Sequence, residues 1–322
     1  MERNRQEESD NGGSLGPIYC LSGCTAVGKT EIALGWAERH GAEIVNCDSL
    51  LFYRAMDIGT AKPSVREQAR GRHHLIDFIE PSERMDVGRF VGLAIDAIRE
   101  IQARGRKVLV TGGSGFYLKA FFSPVVDGVV VSEASAREAD VFMEKGLDAA
   151  VSELRRRNPD GLEGLDAENP RRVAKALERC IESGMTLCEL KVAFERQTNA
   201  LIEAPKFLCI LERDKEELNA RIAQRVSLML EAGLVEEVRG LLGRGIESNP
   251  SACNAIGYRE TIAHLRGAFD LAALSEKIAT NTRRLAKKQR TWFRTQLPVG
   301  GKRLDLTDGR VPELDEIFEE IA

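Results

Sequence analysis

The sequence predicts an α/β fold: a parallel sheet core flanked by helices and interrupted by an all-helical insertion. Three observations predict it. Short apolar runs alternate with helical patterns early in the chain, the arrangement of a parallel sheet covered on both faces. Strand signals then fade between residues 124 and 204, where helical patterns dominate. At 206–211 an apolar run returns and long helical patterns follow it. The expected organisation is a disordered polar tail over 1–16, a core built from 17–123 and 205–322, and a helical insertion domain over 124–204.

The elements follow in order. Residues 18–22 form a short apolar run, and 30–39 have helical character. A second strand is expected at 43–46, with Asp48 just past its end. Residues 49–64 are polar and contain Gly and Pro, which marks a loop. Over 87–104, Phe90, Val91, Ala94, Ile95, Ile98 and Ile101 recur at helical spacing. Residues 107–111 read as a buried strand ended by Gly112-Gly113. In the insertion, 137–157 and 171–183 read as helices. Asn169-Pro170 opens the second, with Asn as cap and Pro as first helical residue.

Composition narrows the class. The chain has 322 residues, 43% of them hydrophobic, enough for a sizeable core. A formal net charge of −4 does not mark a nucleic-acid binder, so local charge has to be read separately. The seven cysteines, at 20, 24, 47, 180, 188, 209 and 253, include no CxxC pair. That argues against a zinc knuckle or a disulfide framework and for reduced thiols. No apolar run approaches the ~18 residues that span a bilayer. A cytoplasmic protein is expected.

Gly23-Cys24-Thr25-Ala26-Val27-Gly28-Lys29-Thr30 follows a strand and opens a helix. In this G-x-x-x-x-G-K-[ST] pattern backbone N–H groups cradle phosphate oxygens, and the helix N-terminus adds positive potential. Lys29 reaches terminal oxygens and Thr30 can hold Mg²⁺. A nucleotide hydrolase also needs an acid at the end of a neighbouring strand. The candidate strand, Val108-Leu109-Val110, ends instead in Thr111-Gly112-Gly113-Ser114-Gly115. The loop therefore reads as a phosphate grip without nucleotide hydrolysis. Asp48 follows the second strand, where a carboxylate can take a proton from a substrate nucleophile. A turn-forming role is the competing reading.

Two basic features stand out. Arg221 and Arg225 lie four apart on a helical segment, so they share a face. The bland reading is a solvated face with a Glu217–Arg221 pair. Residues 281–303 contain eight basic side chains, no Asp or Glu, and the aromatics Trp292 and Phe293. Such a stripe fits a phosphate-backbone contact surface. Its bland reading is a solvated helix with aromatics in the core.

These strings together resemble tRNA dimethylallyltransferases, of the bacterial type. The resemblance rests on 23–30, Asp48-Ser49, Met56-Asp57-Ile58-Gly59-Thr60-Ala61-Lys62-Pro63, His73-His74-Leu75-Ile76-Asp77 and Gly112-Gly113-Ser114-Gly115-Phe116-Tyr117. It continues through Asn169-Pro170-Arg171-Arg172, Ala255-Ile256-Gly257-Tyr258-Arg259 and the run from Arg283 to Gln289. It implies a P-loop NTPase-like core and transfer of a dimethylallyl group from its diphosphate to N6 of the adenosine 3′ of the anticodon.

Asp48 would be the general base. Residues 23–30, Arg221 and Arg225 would hold the diphosphate, with Mg²⁺ on Thr30. Arg225 and Ser114 would help at the reacting centre. The tRNA, through its anticodon stem-loop, would meet Asp48, Ser49, Leu50 and Leu51. It would also meet Arg171, Arg172, Val173, Ala174 and Lys175, then Asn254, Ala255, Ile256, Gly257, Tyr258 and Arg259, and finally Arg284 and Lys287. A monomer without membrane association is expected.

The sequence departs from the family's usual loop, G-P-T-A-S-G-K-T, at Cys24 and Val27. A helix N-terminus would lower the Cys24 thiol pKa and make it oxidant-sensitive; a buried, inert thiol is the competing reading. Ser114 stands where Thr is usual, and Asn254 where Gln or Arg is common. His73 and His74 are expected to be structural and to line the substrate channel. Two rivals remain. A small-molecule kinase would use the same loop, but the basic stripe and the Gly-Gly-Ser-Gly strand end speak against it. A non-catalytic RNA binder would not need Lys29, Thr30 and Asp48 together.

Overall fold

The structure is a computed structural model and describes residues 14–318 except 299 and 311. The chain divides into two units, one made of residues up to Ser123 together with Ala200 onward, the other of Pro124–Asn199.

The larger unit is built on six strands: β1 (Ile18–Gly23), β2 (Ala42–Asn46), β3 (His73–His74), β4 (Lys107–Gly112), β5 (Lys206–Glu212) and β6 (Lys302–Asp305). Their order across the sheet is β3-β2-β4-β1-β5-β6, and every neighbouring pair is parallel. All six residues of β1 are buried, as befits a central strand covered on both faces. Register sets the strand ends side by side: Ser22 lies opposite both Gly112 and Ile210, and Asn46 opposite Thr111. The loops after β1, β2, β4 and β5 therefore emerge along one edge, where open parallel sheets bind ligands.

In chain order the helices begin with α1 (Lys29–His40), α2 (Val65–Arg70), α3 (Val87–Ala103) and α4 (Gly115–Lys119). Asp86 caps α3 by accepting from the Arg89 N–H at 2.8 Å. The apolar stripe of α3 buries Phe90, Ala94, Ile98 and Ile101 against the sheet core. The smaller unit carries α5 (Glu133–Glu144), α6 (Leu147–Arg157), α7 (Pro170–Ser183) and α8 (Leu187–Glu195), with its own core around Leu154, Val173, Leu177 and Leu190. The larger unit resumes with α9 (Ala200–Glu203), α10 (Lys215–Glu231), α11 (Leu234–Gly243), α12 (Pro250–Cys253), α13 (Tyr258–Leu265) and α14 (Leu271–Gln296).

Several expectations change. The helical unit ends at Asn199 rather than 204, because Leu201 and Ala204 pack into the sheet core. The helix expected over 137–157 is two helices, broken at Gly146, whose φ of 107° no helix adopts. Of the expected tail, residues 1–13 lie outside the described residues. Leu15 is already buried, and the Gly16 N–H donates to Gln102 Oε1 at 2.9 Å. Strands β3 and β6 had no readable signal. One is two residues long, and the other is Lys-Arg-Leu-Asp at the sheet edge.

Candidate active site

The phosphate loop leaves β1 at Gly23 and enters α1 at Lys29. Gly23 packs so tightly that a Cβ would sit 2.6 Å from the Leu211 carbonyl oxygen. Gly28 caps α1 with φ 115°, a left-handed conformation that glycine adopts without steric cost. The Lys29 ammonium donates to the carbonyls of Gly23 and Cys24, both at 2.9 Å. Burial lowers its pKa from the ordinary 10.5 to about 8, against the opposing pull of Asp48. The Thr30 hydroxyl lines the same cavity and makes no hydrogen bond among the described residues.

Three arginines brace successive loop residues. Arg213 Nε donates to the Val27 carbonyl at 3.1 Å, Arg221 Nε to the Ala26 carbonyl at 2.9 Å, and Arg225 Nη1 to Thr25 Oγ1 at 3.5 Å. Arg213 was not foreseen; its signal is its place just after β5, at the ligand edge of the sheet. The expected Glu217–Arg221 pair does not form, because Arg213 takes Glu217. Arg221 and Arg225 have no carboxylate partner among the described residues.

Asp48 is held by its own turn. The Asn46 side chain accepts from the Asp48 N–H at 2.8 Å and donates to the Asp48 carbonyl at 3.1 Å and the Leu75 carbonyl at 2.9 Å. One carboxylate oxygen, Oδ1, accepts from the Leu50 N–H at 3.1 Å. The other faces Gly113. A Cβ on Gly113 would lie 3.4 Å from Asp48 Oδ2, 3.7 Å from Lys29 Nζ and 3.1 Å from Gln289 Nε2. Glycine there lets carboxylate, ammonium and amide converge on one strand end. Ser114 caps α4 without using its hydroxyl, which lines the cavity.

These groups surround one cavity of about 840 Å³. Its lining joins the phosphate loop, Asp48 to Leu51, residues 111–116, Arg221, Arg225, Ile256, Gly257, Lys288 and Trp292. His73 lines it too, with burial pushing its imidazole below the usual range. His74 does not; it bonds the buried Glu43 carboxylate at 2.6 Å.

Other expected residues fall elsewhere. Tyr258 is wholly buried and its hydroxyl donates to Glu237 at 2.7 Å, so its side chain cannot meet tRNA. Val173 is equally buried in the helical unit's core. On α7, Arg171, Arg172 and Lys175 are exposed while Ala174 is half-buried. Asn254 and Arg259 are exposed, as are Arg284 and Lys287 on α14. Cys24 is buried, and burial pushes its thiol up against the pull of Lys29 and Arg290. Both features go with the buried-thiol reading.

The basic stripe divides. Arg303 pairs with Glu212, and Lys302 donates to the Glu316 carbonyl. Arg283, Arg284, Lys287, Lys288, Arg290 and Arg294 lie on α14 without a carboxylate partner among the described residues. Phe293 is in the core, whereas Trp292 packs on Gly115, where a Cβ would lie 2.3 Å from its ring.

The model of the IPP transferase family matches residues 51–296. The chain is 58% identical over 281 residues to a tRNA dimethylallyltransferase of Opitutus terrae, covering 87% of this chain and 91% of that one. It is 40% identical over 289 residues to that of Bordetella petrii, covering 88% and 91%. Among solved structures it resembles the tRNA isopentenylpyrophosphate transferase of Bacillus halodurans, with TM-score 0.65, 32% identity and coverage of 94% and 93%. It also resembles a eukaryotic dimethylallyltransferase acting on tRNA, with TM-score 0.79, 25% identity and coverage of 91% and 74%. A parallel sheet with a phosphate loop at its ligand edge, together with these likenesses over nearly the whole chain, places the protein among prenyl-transferring enzymes: the chain belongs to the tRNA dimethylallyltransferase family.

Proposed function

We propose that the enzyme transfers a dimethylallyl group from dimethylallyl diphosphate to N6 of the adenosine immediately 3′ of a tRNA anticodon. The N6 lone pair attacks C1 of the allyl group. The C1–O bond breaks, its electron pair leaves with the diphosphate, and Asp48 Oδ2 takes the amine proton. The supporting observation is the convergence of Asp48 Oδ2 and Lys29 Nζ on Gly113, within one cavity.

Each part of the site has a task. Loop N–H groups, Lys29, Arg221 and Arg225 bind the diphosphate and stabilise the charge that develops as it leaves. Arg221 and Arg225, which form no salt bridge among the described residues, are available to an anion. Thr30 fits a Mg²⁺ ion, since its hydroxyl is uncommitted and faces the cavity. No group of three or more His, Cys, Asp or Glu offers a full protein cage among the described residues, which suits an ion that binds through substrate phosphates and water. Such an ion would neutralise charge on the diphosphate. The adenine must leave its stack to reach Asp48, at a cost of a few kcal/mol that a single-stranded loop reduces. Ser49, Leu50, Leu51, Ile256 and Gly257 line the cavity and would border the incoming anticodon loop. Exposed Arg171, Arg172, Lys175, Asn254, Arg259, Arg284 and Lys287 would contact the rest of the tRNA. The protein acts as a cytoplasmic monomer in this reading; no described helix is long and apolar enough to cross a membrane.

The test is direct. Incubate the full chain with unmodified tRNA, Mg²⁺ and dimethylallyl diphosphate, then digest the RNA and weigh the nucleosides. Isopentenyl-adenosine at the site 3′ of the anticodon is expected. Folded protein and intact tRNA without that nucleoside would overturn the reading.

A further inference from the structure

Gln289 joins two parts of the site that are far apart in sequence. Its Oε1 accepts from the Thr25 N–H at 2.9 Å, and its Nε2 donates to the Gly113 carbonyl at 2.7 Å. The partners fix the amide's orientation, because an N–H must meet the oxygen and a carbonyl the nitrogen. Among the described residues it is the one side chain that hydrogen-bonds both the phosphate loop and Gly113. Three residues on, Trp292 packs against Gly115, so one face of α14 clamps the glycine turn at two points.

The other face of the same helix carries cations. Arg283, Lys287, Arg290 and Arg294 follow a four-three-four spacing, which aligns them along one side. α14 is a single helix of 26 residues, and a helix transmits displacement along its length. RNA phosphates seated on these cations would touch the same helix that holds Thr25 and Gly113.

We propose that Gln289 is a positioning residue that couples RNA binding on α14 to diphosphate binding in the loop. The proposal rests on the reading of the stripe and the loop given above. Coupling of this kind is reciprocal: RNA changes diphosphate affinity by the same factor as diphosphate changes RNA affinity.

The experiment uses the full chain and inorganic pyrophosphate. Calorimetry gives the pyrophosphate Kd with and without saturating unmodified tRNA for wild type, Gln289→Met and Gln289→Glu. For wild type the ratio of the two values is expected to be about tenfold. In Gln289→Met, which keeps length and helix propensity but neither hydrogen bond, the ratio falls close to one. Gln289→Glu keeps the acceptor for Thr25 and loses the donor to Gly113. Any uniform weakening from its charge cancels in the ratio, so it carries the test even if the Met variant does not fold.

A purely structural glutamine would shift both Kd values together and leave the ratio unchanged. That outcome overturns the proposal, as does a wild-type ratio of one. Neither measurement needs turnover, so failure of prenyl transfer and failure of coupling are separately visible.

Discussion

Lys62 has its charge paired and Glu237 its carboxylate filled by hydrogen bonds inside the protein, whereas the cations of α14 and of the phosphate-loop edge make no salt bridge among the described residues. The Lys62 side chain is 2% exposed and sits between Asp57, Asp77 and the Tyr53 carbonyl. Glu237 accepts three successive N–H groups, from Asp57, Ile58 and Gly59 at 2.9, 2.6 and 3.1 Å, and the Tyr258 hydroxyl. Against this, Arg221, Arg225 and six cations of α14 form no salt bridge among the described residues. A matched charge fixes the backbone around it. An unmatched one keeps its field for an anion from outside. The difference separates internally paired scaffold from unpaired cations within one unit, and it makes the Asp57–Pro63 string a brace for the loop after Asp48.

Four measurements press on this contrast. Asp48→Asn stands at the reacting centre and should lower the transfer rate by about 10²–10⁴-fold while leaving the melting temperature near wild type. A wild-type rate would remove the general base. On the scaffold side, Glu237→Ala leaves three N–H groups and the Tyr258 hydroxyl unpartnered and should cost about 2–4 kcal/mol in urea unfolding. A loss below about 0.5 kcal/mol, the usual surface value, would erase the distinction.

The third concerns pH. The folded Lys29 pKa lies near 8, below its unfolded value. The folded chain therefore binds fewer protons between about 8 and the ordinary 10.5, and this group's contribution to stability rises with pH across that window. Pyrophosphate affinity should move the other way, falling as pH passes 8 and the ammonium discharges. Calorimetry across this range checks it, with Lys29→Met as the control that reports the titration of pyrophosphate itself. The smallest effect is expected from Lys287→Ala or Arg290→Ala. Each should reduce the salt slope of tRNA binding by about one and move stability by less than about 0.5 kcal/mol. An unchanged slope would count these cations as ordinary solvated charge.

Much of the site was legible in local strings. Spacing alone marks residues 23–30 as a strand–turn–helix loop with the pattern of a phosphate cradle, because backbone N–H groups and a helix start are local properties of the chain. The same holds for Asp48 after an apolar strand. Gln289 and Arg213 were not legible as site residues. Their partners, Thr25 and Gly113 for one and Val27 for the other, are distant in sequence. Tyr258 is expected at the tRNA only because the resemblance takes 254–259 as one segment, and packing alone turns its side chain inward onto Glu237.

The sequence by itself determined the parallel α/β core, the phosphate loop, the Asp after the second strand and the helical insertion. Periodicity, turn chemistry and capping act over a few residues and can be read without a fold. Only the tertiary structure decided which charges are matched. Glu217 has Arg213 and Arg221 both four residues away, and it pairs with Arg213 because that side chain lies buried beside Val27. Helix α14 meets the loop because the sheet order sets β1 between β4 and β5. Pairing depends on distances between elements, and those distances exist only once the sheet has formed.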